Sequence, residues 1–174
     1  AFYDAMRAGA ETKTSQVNAG EFMEYFSSFL EQGKDIIHVS MSSGFSGTYN
    51  SAMIAKEQLQ EQFPDRKIYI FDSLCGSCGY GMVVDRLADL RDAGKTMEEC
   101  RAWAEAHILD VNAWFFVSDL KYLIQGGRIS KTAGVLGSLL QICPLITADT
   151  KGKLVSKHKI RTKARAMAEL VKKM

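Results

Sequence analysis

Three features of the sequence predict an α/β fold built on a parallel sheet. Short runs dominated by β-branched and aromatic residues, Asp35-Ile-Ile-His-Val39 and Lys67-Ile-Tyr-Ile-Phe-Asp72, alternate with longer segments whose apolar residues recur at helical spacing. Strand–helix–strand–helix at these lengths argues for parallel pairing through right-handed crossovers. Near the C-terminal end, Pro144-Leu-Ile-Thr147 and Lys153-Leu-Val155 flank Asp149-Thr-Lys-Gly152, the pattern of an antiparallel hairpin. With 174 residues, 47% of them hydrophobic, the chain can bury the core of one domain, or of one and part of a second. The expectation is a parallel α/β/α lobe over residues 1–111 carrying a serine-rich loop, then the start of a second α/β lobe with a hairpin over 112–174.

The elements follow in order. Asn18 and Glu21 form a capping-box pattern that opens a helix bearing Phe22, Tyr25, Phe26, Phe29 and Leu30 on one face, and Gly33 stops it. A strand over 35–41 comes next. Tyr49, Ala52, Met53, Leu59 and Phe63 then mark a helix over 48–62 that Pro64 ends. The strand at Lys67–Asp72 leads into a loop rich in Gly and Cys, and a helix runs from Tyr80 to Ala93, closed by Gly94. Thr96 and Glu99 frame a further helix start. Trp114–Val117 reads as a strand, Asp119 caps a short helix over Leu120–Ile124, and Gly126–Ser130 is a tight turn. An apolar run, Val135 to Ile142, precedes the hairpin. A last helix from Arg161 is expected to dock through Ile160, Ala164, Met167, Val171 and Met174.

The stretch between the first strand and its helix, Ser40-Met-Ser-Ser-Gly-Phe-Ser-Gly-Thr-Tyr-Asn-Ser-Ala52, is the candidate site. Ser42, Ser43, Ser46 and Thr48 supply hydroxyls, while Gly44 and Gly47 allow close approach to backbone N–H groups. The first turn of the new helix offers unpaired N–H groups and the positive end of the helix dipole to an anion. No Lys or Arg lies between Lys34 and Lys56, so neutral donors would hold that anion, which suits a carboxylate or single phosphate. Ligands of such sheets gather at the carboxyl ends of the strands. Asp72 and Ser73 sit at the next strand end, and Thr14 and Ser15 are placed to reach the cleft from an earlier loop. Arg128 in its glycine turn is the candidate cation, opposed by the reading of a surface residue capping carbonyls.

Other chemistries find less support. A serine hydrolase needs a base in reach, yet His38 lies in a strand, His107 in a helix and His158 among lysines; Gly44-Phe-Ser46-Gly also departs from G-x-S-x-G. Cys75-Gly-Ser-Cys78 has redox and zinc spacing, but Cys100 and Cys143 stand alone, and packing cysteines in a close turn are the simpler reading. A P-loop lysine is missing before Thr48. Net charge is +2, yet nine of 22 basic residues fall between Lys151 and Lys173 beside a single acid, Glu169. That segment has no Phe, Tyr or Trp, so nucleic acid is not an expected partner, and a solvated face is. No apolar run approaches the ~20 residues of a membrane span, so no stable membrane insertion is expected. The cysteine pattern points to a reduced, cytoplasmic protein.

Four motifs in fixed order carry a resemblance: Thr14-Ser15-Gln16, Ser42-Ser-Gly-Phe-Ser46-Gly-Thr-Tyr49, Asp72-Ser73, and Asp119-Leu-Lys-Tyr-Leu-Ile-Gln-Gly-Gly-Arg128-Ile129-Ser130. Together they make the chain similar to the DegV family of fatty-acid-binding proteins over essentially its whole length. The resemblance implies two α/β lobes with a long-chain fatty acid between them, its carboxylate near the first two motifs. Thr14 and one serine among Ser42, Ser43 and Ser46 then match the head-group hydroxyls, with Ser15 and Gly47 beside them and Arg128 facing the same cleft. It further implies a carrier rather than an enzyme, presenting its ligand to a separate fatty acid kinase that forms an acyl phosphate for phospholipid synthesis. The fatty acid is a ligand, and no cofactor or metal is expected. The family starts with an earlier strand and continues past residue 174 with a histidine near the head group, so the expectation is of a fragment. The competing expectation is an enzyme acting on a small phosphorylated or carboxylated metabolite in the same cleft.

Overall fold

The computed structural model of the protein describes residues 1–130 and 142–173. Two sheets organise them. The first pairs β1 (Ile36–Ser40) with β2 (Ile68–Asp72) in parallel, Ile36 opposite Ile68 and Ser40 opposite Asp72. Helices α1 (Phe2–Arg7) and α2 (Ala19–Leu30) precede β1, and α3 (Thr48–Gln62) makes the crossover to β2. After β2 come α4 (Cys78–Asp92), α5 (Met97–His107) and a short 3₁₀ turn over Ile108–Asp110.

Alternation along the two strands builds a three-layer core. Ile68 and Ile70 face α2 and α3, where Phe22, Phe26, Leu30, Ala52, Ala55 and Leu59 are buried. Val39 and Phe71 point the other way, onto Val83 and Leu87 of α4 and Cys100 and Ala104 of α5. The capping boxes at Asn18/Glu21 and Thr96/Glu99 both form, each Glu bonding the backbone N–H of its N-cap. The helix expected from Tyr80 starts two residues sooner, at Cys78. Gly79 sits in its first turn because a Cβ there would overlap the Cys75 sulfur.

The second sheet is antiparallel, in the order β3 (Trp114–Phe116), β4 (Ile142–Ala148), β5 (Leu154–Arg161). The hairpin is longer than its two apolar runs indicate, and a bulge interrupts the register between Leu145 and Ile146. Between β3 and β4, α6 (Lys121–Gln125) and Ile129 pack on Ile146. Asp119 accepts from Lys121 N at 2.8 Å, but the helix starts one residue later than expected and Leu120, not Asp119, is its N-cap. Most of the apolar run from Val135 lies outside the described residues; Ile142 opens β4.

The last helix departs from expectation. Ile160 and Arg161 belong to β5, and α7 is Lys163–Val171. Ala166 is its buried residue, whereas Met167 and Val171 are 59% and 67% exposed. The physical reason is a change of period: Ile160 pairs with Cys143 in the sheet, and Thr162 resets the phase by capping α7 through Arg165 N. No helix among the described residues is long and apolar enough to cross a membrane.

Candidate functional site

A cleft of about 920 Å³ opens at the carboxyl end of β1. Its walls come from three places distant in sequence: Thr14–Val17, the loop and helix start from Ser43 to Thr48, and the turn Gly126–Arg128. Phe22, His38 and Ser40 line its inner part. Thr14, Ser15, Ser43, Ser46, Gly47 and Arg128 are thus brought together; Ser42 is not among the lining residues.

The three serines of the loop differ in what their hydroxyls do. Ser42 is fully buried, donates to the carbonyl of Gly152 at 2.8 Å and accepts from Gly44 N at 3.0 Å. It fastens the loop to the hairpin of the other sheet. Ser46 Oγ accepts from Thr48 N at 3.2 Å and shares a 2.8 Å bond with Thr48 Oγ1, capping α3 in place of the side-chain-less N-cap Gly47. Ser43 is exposed, and its hydroxyl has no hydrogen bond among the described residues. Its backbone N–H is held by Asp72 Oδ1 at 3.1 Å, which fixes where the hydroxyl stands.

Gly47 leaves room for a neighbouring side chain. A Cβ on it would overlap the side-chain amide of Gln16, which crosses the start of α3 and donates to Ser51 Oγ at 3.1 Å. That contact docks the Thr14–Gln16 segment beside the helix N-terminus. Gln16 is thus a positioning residue that hydroxyl-based reasoning passes over, although it stands within the Thr-Ser-Gln motif.

The loop after β2 has a different role from the one expected. Asp72 and Ser73 do not line the cleft; they brace the serine loop. Asp72 Oδ1 also accepts from Leu74 N at 3.0 Å, Ser73 N donates to Ser40 O at 3.1 Å, and the buried Ser73 hydroxyl donates to Cys75 O. Burial pushes the Cys75 thiol up from its ordinary value, opposite to what a redox thiolate needs. All four cysteines are free. Among the described residues no cluster of three or more His, Cys, Asp or Glu side chains could hold a metal ion.

Arg128 donates through Nε to Phe45 O at 3.1 Å and through Nη1 to Gly126 O. The carbonyl-capping reading therefore holds, and it holds at the cleft mouth. The guanidinium ties the glycine turn to the serine loop and leaves its charge beside Ser43 and Thr14 in the lining.

Fold and cleft together define a mixed α/β protein whose cleft is rimmed by hydroxyls, amides and one guanidinium, with Phe22, His38 and Ser40 further in. The chain belongs to the DegV family: the family model described as "Uncharacterised protein, DegV family" matches residues 1–174. It is 37% identical over 169 residues to the DegV domain-containing protein YteA of Lactococcus lactis, covering 97% of this chain and 58% of that protein. It superposes with TM-score 0.85 and 26% identity on a DegV family protein from Eubacterium eligens described as loaded with heptadecanoic acid, covering 98% of this chain and 61% of the other. A second solved structure, the Streptococcus pneumoniae Fatty Acid Kinase (Fak) B3 protein loaded with linoleic acid, gives TM-score 0.83 and 30% identity with the same two coverages. The chain therefore spans less than two thirds of the length of the proteins it matches.

Proposed function

We propose that this chain, with 1–111 and 112–174 as parts of its two lobes, binds a long-chain fatty acid in the cleft and carries it to a fatty acid kinase without catalysing a reaction itself. The observation that carries this reading is the hydroxyl of Ser43. It stands at the mouth of the cleft with no protein partner among the described residues, while Ser42 and Ser46 are consumed by the fold. Thr14 and Ser15 face it, the first turn of α3 offers N–H groups past Gly47, and Arg128 adds a positive charge. A carboxylate uses all of these as acceptor. The volume lies within the roughly 300–1,000 Å³ of small-molecule sites. Similar proteins loaded with heptadecanoic and linoleic acid support the ligand class, and similarity to the Fak B3 protein supports the kinase partner. Four free cysteines suit the cytoplasm.

The test is retention of C14–C18 acids by the purified chain and its variants, read by mass spectrometry and by titration. Ser43→Ala is expected to weaken binding by roughly tenfold or more, since a hydrogen bond to a charged group contributes about 1.5–3 kcal/mol. Thr14→Ala should act in the same direction, both with unchanged unfolding midpoints. Turnover of a soluble phosphorylated or carboxylated metabolite by a protein that takes up no lipid would replace the carrier with an enzyme.

A further inference from the structure

The inner wall of the cleft holds two polar atoms that the head-group reading does not use. Ser40 is 2% exposed, yet its hydroxyl has no hydrogen-bond partner among the described residues. The same is true of His38 Nε2, also buried. Both residues line the cleft. They lie two positions apart on β1, so they share the strand face turned to α2, about 6.6 Å apart along it. The His38 ring packs against the adjacent rings of Phe22 and Phe26, at centroid distances of 5.1 and 5.5 Å.

An unmade hydrogen bond on a buried group costs about 1–3 kcal/mol, and two such groups on one wall of one cavity point to an occupant with an oxygen between them. The chemistry of the wall selects its type. The two side chains are neutral, burial holding the imidazole below its ordinary pKa, and the paired phenyl rings of Phe22 and Phe26 stand against the imidazole. A carboxylate moved here would leave the N–H groups and guanidinium at the mouth for a desolvated wall without a cation. An uncharged oxygen fits: a hydroxyl can donate to one partner while accepting from the other, and a carbonyl can accept from both.

We propose that Ser40 and His38 form a neutral polar subsite that takes an uncharged oxygen on the body of the ligand, so that the cleft favours an oxygenated acyl chain over a plain one. This rests on the fatty-acid reading and names a ligand class within it. The carboxylate stays with Ser43 and Thr14 at the mouth; the second oxygen reaches Ser40 and His38 inside.

The experiment compares binding of hexadecanoic and octadecanoic acids with that of 3-hydroxyhexadecanoic and 12-hydroxyoctadecanoic acids, on the full chain and on Ser40→Ala and His38→Phe. At least one hydroxy acid is expected to bind more tightly than its plain counterpart, by roughly two- to tenfold for each hydrogen bond gained. In Ser40→Ala the ratio should fall toward one, while the unfolding midpoint is unchanged or raised because an unsatisfied hydroxyl has been removed. Equal binding of both series by the unaltered chain overturns the subsite and leaves the fatty-acid reading intact. So does a hydroxy-acid preference that survives both substitutions. Binding of neither series takes down the fatty-acid reading, and the subsite with it.

Discussion

His38 is an imidazole packed against two phenyl rings, and that position sets a pH response. Burial disfavours the imidazolium, so the folded chain protonates His38 below the ordinary 6.5 at which the unfolded chain does so. Between those two values the unfolded state binds the extra proton, so stability is fully present above 6.5 and falls as pH drops beneath it. The urea midpoint of the ligand-free chain should therefore decline from pH 7 to 5.5, and His38→Phe should flatten that slope. A slope identical in both proteins would mean that the ring is hydrated in the folded state. The same residue shows what a sequence can and cannot say at this scale. That His38 lies in a strand follows from its β-branched neighbours; that its Nε2 is buried without a partner among the described residues depends on α2 packing across it. The serines behave alike. Their hydroxyls are visible in the motif, but only a partner 110 positions away, Gly152, occupies Ser42 and leaves Ser43 as the loop serine with an unpartnered hydroxyl among the described residues.

At the scale of elements, helix starts are the most legible features because their signals are local. Asn18/Glu21 and Thr96/Glu99 each satisfy two backbone donors within four residues, and both boxes form where their spacing places them. In α5 the box has a consequence in acid. Glu99 bonds Lys95 Nζ at 2.8 Å, and with the Thr96 backbone and hydroxyl this pulls its carboxyl down to about 2. Because the folded value is depressed, the stabilisation is present above the ordinary 4.5 and is lost as pH falls toward 2. Thr96→Ala is expected to destabilise by about 1 kcal/mol at neutral pH. Glu99→Gln should remove part of the acid sensitivity in the same unfolding experiment. If instead both variants track the unaltered chain from pH 5 to 2, the box contributes nothing. Where the signal is not local, reading fails. The apolar residues Ile160, Met167 and Val171 fit one helical stripe, but strand pairing with Cys143 claims the first. The others are left exposed on α7, so a periodicity that crosses an element boundary misplaces a face.

At the scale of the molecule, the cleft exists only because the two sheets meet at glycines. The serine loop reaches the hairpin through Ser42 and Gly152, and the glycine turn reaches the loop through Arg128 and Phe45. Gly152 has φ +71°, and a Cβ on it would overlap the Ser42 hydroxyl and crowd Leu74. Gly44 faces the same junction, its missing Cβ leaving room for the Gly152 carbonyl. No single-sequence pattern shows this closeness, since Gly152 by itself reads as an ordinary hairpin turn residue. Gly152→Ala should therefore carry two costs, about 1–2 kcal/mol for the left-handed backbone and a further cost for parting the sheets. Gly127→Ala separates them, because Gly127 has φ +73° but open space where its Cβ would go. In urea unfolding Gly152→Ala should lose clearly more stability than Gly127→Ala, the excess measuring the junction. Fatty-acid retention should fall with it, since one wall of the cleft rides on each sheet. Equal losses in the two variants, with ligand binding intact in Gly152→Ala, would show that the sheets hold their spacing without this contact and that the cleft is shaped elsewhere.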